Sequence, residues 1–249
     1  MSNKPQFSTK EKALAWMVHT LTASGVVAAF MAIIAIVNEK WDDAMWWLII
    51  TLIIDGVDGS LARKFSVKEV LPNFDGKTVD NIIDFATYAI IPAFFMYQAK
   101  WEDGSYLLPE NEFIRLGAIA MVLLVSAFYY GKKGMVSDDY YFIGFPVMWN
   151  LVAFYFYFVL GTGPWANLTM LVILSILHFV PIKFLYPSRT RLFFKWNIAI
   201  TTIFIIANIA ILFLYPVHNQ LLSLVAMLTL FYFAGMGIYT TYFYKPLRK

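Results

Sequence analysis

Long apolar runs alternate with short polar and basic connectors along this chain, and the runs fall near 13–37, 43–62, 77–98, 112–130, 143–160, 165–182, 193–214 and 220–243. Each matches or approaches the roughly 20 apolar residues that a helix needs to cross a bilayer. A segment in lipid must satisfy its own backbone hydrogen bonds, so runs of this length predict helices. The expected fold is all-α, a polytopic helical membrane protein of about eight transmembrane helices. A short juxtamembrane segment precedes the first helix, and residues 1–249 form a single membrane domain. The first run is long, lacks a convincing small-residue cleavage site and leads straight into further spans, so it reads as a retained helix and not as a secretory signal.

Composition strengthens this reading. The chain is 60% hydrophobic and 14% charged, against roughly 45–50% and 25% in soluble domains. All of the 19 Lys and Arg residues except Lys40, Lys100 and Arg115 lie in the N-terminal tail, in the connectors 63–77, 131–142 and 183–195, or in the C-terminal stretch with Lys245, Arg248 and Lys249. The positive-inside rule then places both termini, and the connector after residue 63, on the cytoplasmic side. The net charge of +3 reflects that bias, and nothing points to nucleic acid. Trp46, Trp47, Trp101 and Trp165 stand where interfacial aromatic belts are expected. A homodimer is compatible with the pattern, although Gly25 and Ala29 are too ordinary a small pair to specify one.

Cysteine is absent, which excludes disulfides, thiolate metal sites and cysteine nucleophiles. His19, His178 and His218 are far apart in sequence and read as ordinary helix or interface residues. Any metal would therefore be a hard cation on oxygen ligands. Four carboxylates beside apolar runs invite one, because an isolated charge there costs several kcal/mol. Asp55, Asp58, Gly59 and Ala62 share one helical face by their i, i+3, i+4, i+7 spacing, and Gly76, Asp80 and Asp84 form a second stripe at i, i+4, i+8. Leu71-Pro72-Asn73 turns the chain between them. Four converging acids repel unless neutralised, and a pair of divalent cations meets that need and suits phosphoryl chemistry. Arg63 adds a guanidinium for a phosphate oxygen, and the glycines leave room for a nucleotide. The plainer readings are helix caps, ion pairs with Arg63, Lys64 and Lys77, or a cation path as in a transporter. Capping accounts for one aspartate, not four.

The segment reads Asp-x-x-Asp-Gly-x-x-Ala-Arg, twelve residues, then Gly-x-x-x-Asp-x-x-x-Asp. It resembles the signature of the CDP-alcohol phosphotransferase family. That resemblance implies an integral membrane enzyme which moves a phosphate-linked group from a CDP-activated donor to an alcohol and releases CMP. It further implies that Asp55, Asp58, Asp80 and Asp84 hold two divalent cations, Mn²⁺ or Mg²⁺, and that Asp84 also takes the acceptor hydroxyl proton. Gly59, Ala62, Arg63 and Gly76 would shape or hold the CDP part.

Val70-Leu-Pro72, the segment Asp138–Asn150 and Tyr186-Pro-Ser-Arg-Thr-Arg191 resemble a bacterial branch of the family. Eight spans, against the family's usual six, point the same way. The branch implies CDP-diacylglycerol as donor, choline as acceptor and the bacterial inner membrane as location, with the active site cytoplasmic. Choline carries a quaternary ammonium, so aromatic faces would hold it. The candidates are Tyr140, Tyr141, Phe142 and Trp149, with Tyr88, Tyr186 and Trp196 behind them. Arg189 and Arg191, beside Lys183 and Lys195, would bind the phosphates of the CDP-lipid or serve topology and anionic lipid alone. Another acceptor, such as glycerol 3-phosphate, serine or inositol phosphate, stays open, as does divalent-cation transport.

Overall fold

A computed structural model describes residues 7–244. Lys4, Lys245, Arg248 and Lys249, which entered the charge count, lie outside the described residues. The described chain is a polytopic helical membrane protein. Six helices have the length and apolar composition to cross a bilayer: α1 (Thr9–Val37), α2 (Trp41–Lys64), α4 (Gly76–Gln98), α5 (Glu112–Gly131), α8 (Phe194–Leu214) and α9 (Gln220–Tyr242). Between them stand the short α3 (Val67–Val70) and two shorter apolar helices, α6 (Trp149–Leu160) and α7 (Pro164–Leu177). Large apolar side chains such as Met17, Val27, Phe128, Phe213 and Phe231 are exposed on the long helices. Such a surface suits lipid and not water.

The runs at 143–160 and 165–182 are thus only partly helical. Gly144 adopts φ +88°, Pro146 disfavours helix at the preceding residue, and helix begins only at Trp149. Likewise Pro181 follows soon after α7 stops at Leu177. At about 1.5 Å per residue α6 and α7 reach roughly 18–21 Å, short of the ~30 Å hydrocarbon core. Beside these non-helical stretches the chain forms an antiparallel ribbon, β1 (Tyr141–Ile143) with β2 (Lys183–Leu185), in which Tyr141 pairs with Leu185, Phe142 with Phe184 and Ile143 with Lys183.

The chain divides into two compact units, Met1–Pro92 and Ala93–Lys249. In the first, Ser8 and Glu11 cap α1 reciprocally. The buried face of α1 runs through Ala15, Val18, Thr22, Gly25, Ala29, Ala32 and Ile36, a stripe of mostly small residues at helical spacing that admits a neighbour closely. Trp41, Ala44, Met45, Leu48 and Thr51 form the matching buried stripe of α2, and Asp58 continues it into the last turns. A Cβ on Gly25 would stand 3.0 Å from Ile83 Cγ2, so this glycine sets how closely α4 approaches α1. Val67 and Val70 of α3 pack under Ala15 and Val18, with Leu61, Ala62 and Phe65 beside them.

In the second unit α9 packs on α8 and on β2, where a Cβ on Gly237 would meet the Lys183 carbonyl at 2.7 Å. Arg115 is buried on α5. Its guanidinium lies over Tyr106 at 3.9 Å and Tyr97 at 4.9 Å and donates to the carbonyls of Pro109 and Glu110, which offsets the cost of burying a cation.

Two glycines with positive φ separate backbone strain from close packing. A Cβ at Gly104 (φ +82°) meets nothing within 4 Å, whereas one at Gly144 would stand 2.1 Å from the His178 carbonyl oxygen. Gly104→Ala should cost about 1–2 kcal/mol for the left-handed backbone alone. Gly144→Ala should cost clearly more, and the two unfolding midpoints of the variants in detergent check this order.

Candidate active site

The last three turns of α2 and the first three of α4 carry the acidic residues. Asp75 caps α4, accepting from the Thr78 backbone N–H at 3.2 Å and its hydroxyl at 2.7 Å. Those hydrogen bonds hold its carboxyl below the usual carboxylate range, so Asp75 is committed to the cap. Carboxylate oxygens of Asp55, Asp80 and Asp84 lie within 4.8 Å of one another, and all three residues are half-buried. Two ligands of one small divalent cation are at most about 4.2 Å apart, so modest side-chain adjustment would close the three around an ion. The donor set is all oxygen, which fits Mg²⁺, Mn²⁺ or Ca²⁺.

Partners from other turns and helices orient the acids. The Tyr88 hydroxyl donates to Asp55 Oδ2 at 2.6 Å. Asp58 is buried and its Oδ2 accepts from the Thr22 hydroxyl of α1 at 2.7 Å. Tyr88 lies in a wider π-helical stretch, Ala86–Ile90, and Pro92 gives the reason: it has no N–H for the Tyr88 carbonyl four residues back and would crowd it. From the sequence Tyr88 reads as a reserve choline residue, although it extends the stripe Gly76, Asp80, Asp84 by the same spacing of four. Thr22 carried no such signal, because its link to Asp58 is made between helices.

The remaining motif residues take varied places. Arg63 is exposed at the end of α2, with its Nη2 hydrogen-bonded to the Ser60 hydroxyl at 3.2 Å, and a Cβ on Gly59 would lie 3.5 Å from its Nη1. Ala62 packs into the apolar cluster around Val67 and Val70. Gly76 faces the imidazole of His19.

In the second unit the ribbon gathers Asp138–Asn150 and Tyr186–Arg191. Phe142 stacks on Tyr186 at 4.9 Å and 18°, and the Arg189 guanidinium lies 5.2 Å from the Tyr186 ring and 5.8 Å from that of Tyr140. Tyr140 is exposed, with φ +61°, a costly conformation for a bulky residue, and the Thr190 hydroxyl holds its carbonyl at 2.8 Å. Tyr141 points inward against Leu185 and Met236. Burial, then the charge of Asp139, pushes its phenol up to about 12, so it stays neutral. Trp149 is fully buried, stacked on His178 at 5.2 Å and hydrogen-bonded from Nε1 to the Ser126 hydroxyl. Arg191 is exposed before α8.

No family model matches the chain. A phosphatidylcholine synthase of Pseudomonas aeruginosa is 44% identical over 197 residues, 79% of each chain. One of Borreliella burgdorferi is 35% identical over 92% of this chain and 95% of its own. The chain belongs to the phosphatidylcholine synthase family. A Legionella pneumophila member is 30% identical over 96% of this chain and 93% of its own, so the likeness to the family takes in both units.

Two predictions follow from these contacts. Tyr88→Phe should weaken Mn²⁺ binding about 10-fold or more, the usual effect of removing a group that orients a ligand, without unfolding the protein, as titration calorimetry would read. The second concerns Asp139, whose Oδ2 takes the Lys183 ammonium at 2.6 Å. Burial alone would raise this carboxyl, but hydrogen bonds from Lys183 and Ser137 outweigh it and leave it below its ordinary value. A carboxyl depressed by folding stabilises above its unfolded pKa, near 3.9, and that contribution is lost as pH falls through the folded value. Asp139→Asn should cost about 0.5–1 kcal/mol at neutral pH and nothing at the acid end, as paired thermal melts would show.

Proposed function

We propose that the protein is a phosphatidylcholine synthase, transferring the phosphatidyl group of CDP-diacylglycerol to the hydroxyl of choline and releasing CMP. The convergence of Asp55, Asp80 and Asp84 from two helices within 4.8 Å carries this reading. The likeness to phosphatidylcholine synthases and the resemblance of the aspartate motif to the CDP-alcohol phosphotransferase signature support it.

In this reading Asp55, Asp58, Asp80 and Asp84 hold two divalent cations, Mn²⁺ or Mg²⁺. When bound, such ions neutralise phosphate charge and stabilise the charge that develops on the departing CMP. Tyr88 orients Asp55, and Thr22 orients Asp58. Arg63 holds a phosphate oxygen by paired hydrogen bonds, while Gly59, Ala62 and Gly76 keep the helix surface low beside the CDP part. Asp84 accepts the proton of the choline hydroxyl. As it does so the choline oxygen bonds to phosphorus, the bond from phosphorus to the CMP oxygen breaks, and CMP leaves with that electron pair.

Tyr140 and Phe142 are the favoured walls for the quaternary ammonium, since Tyr140 and Tyr186 already flank the cation of Arg189. Tyr141 and Trp149 are buried, Tyr141 with Leu185 and Met236 and Trp149 against His178. Arg189 and Arg191 bind the CDP-lipid phosphates. The acyl chains of the donor stay in the bilayer, so it enters laterally. The chain works as one membrane domain of the bacterial inner membrane, with both termini and the active site cytoplasmic.

Membranes carrying the protein, incubated with CDP-diacylglycerol, labelled choline and Mn²⁺, should make labelled lipid, and a chelator or omission of CDP-diacylglycerol should stop it. Labelling from glycerol 3-phosphate, serine or inositol phosphate, with none from choline, would replace the acceptor. Metal flux into vesicles without lipid turnover would replace the enzyme by a transporter. Asp84→Asn should lower turnover by about 10²–10⁴ or more while the protein stays folded and still binds CDP-diacylglycerol. Undiminished turnover would remove Asp84 from the base role.

A further inference from the structure

Gly76, Asp80 and Asp84 stand on one stripe of α4, with Asp80 about 6 Å and Asp84 about 12 Å further along the helix. Over the first of these positions lies a side chain from a different helix. A Cβ on Gly76 would come within 2.5 Å of His19 Cε1 and 2.9 Å of His19 Nδ1, so the bare backbone of Gly76 is the seat of the imidazole. Phe74, on the connector before α4, has its ring 4.3 Å from that imidazole. Trp16 meets both rings edge-on, at 5.9 Å from His19 and 5.2 Å from Phe74. The ring is therefore held on several sides.

His19 Nε2 is nevertheless closed off from solvent and has no hydrogen-bond partner among the described residues. Leaving an imidazole nitrogen so costs the full desolvation of that group. Beside it the ring of Trp16, 49% exposed, is a face on which a planar base stacks. Phe74 sits on the connector that holds Pro72 and Asn73, and is the ring that an incoming base would displace.

We propose that His19 is a nucleotide-binding residue whose Nε2 accepts a hydrogen bond from the exocyclic amino group of a cytosine base, with Gly76 as the seat of its ring. The proposal rests on the reading of the site as one for a CDP-activated donor. It orders that donor along α4, with the base at Gly76 and the phosphates one and two turns further on, beside Asp80 and Asp84. It also accounts for the glycine at 76, since a side chain there would take the space of the His19 ring.

The test is calorimetric titration of the purified full chain in detergent, with Mn²⁺ present, using CMP and UMP as probes. Wild type should bind CMP more tightly than UMP. His19→Phe keeps a planar ring without nitrogens, and should lose about tenfold in CMP affinity and its preference for CMP over UMP, with Mn²⁺ binding unchanged. If His19→Phe does not fold, His19→Leu carries the same expectation. A residue that only packs would shift the melting temperature and leave the CMP to UMP ratio alone. Full CMP affinity and preference in the folded variant would overturn the role of His19 while leaving the synthase reading in place. Failure of the wild type to bind CMP at all, together with absence of lipid synthesis, would overturn both.

Discussion

A carboxylate at the end of an apolar helix must find a donor or a cation, and the first unit is arranged around that need. Asp58 is satisfied by Thr22 and Asp55 by Tyr88, while Asp80 and Asp84 receive no side-chain donor among the described residues. The partners that exist come from α1 and from the π-helical stretch of α4, so they depend on the packing of α1 against its neighbours. Gly25 and the small residues above it set that packing, and Pro92 sets the widened turn. The acids that remain without donors are those nearest one another with Asp55, and they are the ones a cation would satisfy.

This arrangement divides labour within single helices. The buried stripe of α2 is apolar from Trp41 to Leu48 and then passes through Thr51 to Asp58, so one face first supplies adhesion and then chemistry. The stripe of α4 begins at a glycine, passes two aspartates and ends on a tyrosine that points back to α2. Helix periodicity makes both stripes continuous, and each acid is held at a fixed height by the packing above it. Rigid helices therefore carry the acids, as suits a site whose groups must converge closely.

The second unit meets a different constraint. Gly144 and the two prolines stop helix formation within apolar runs, and the exposed backbone polar groups are satisfied by pairing β1 with β2. The ribbon brings Asp139 to Lys183 and Thr190 to the Tyr140 carbonyl, and the second contact holds Tyr140 in a conformation that a tyrosine rarely adopts. An ordered pair of tyrosine faces around a guanidinium results. Trp149 and Tyr141 support this region from within, which explains why residues of equal aromatic character in one short segment take opposite places.

Hydrophobic runs, basic connectors and the spacing of Asp55, Asp58, Asp80 and Asp84 determined the membrane class, the helical fold and the acidic stripes. They could do so because a period of 3.6 residues turns spacing along one helix directly into a shared face. Tyr88 was legible by the same rule but was hidden among many aromatics. Gly144, Pro146 and Pro181 likewise signalled where helix would fail, though not that the two failures would pair. Only the tertiary structure decided that Thr22 serves Asp58, that His19 lies on Gly76, and that Tyr140 and Arg189 meet. Those contacts join residues more than 30 positions apart, and which side chains meet across such a distance depends on how closely and at what height the elements pack.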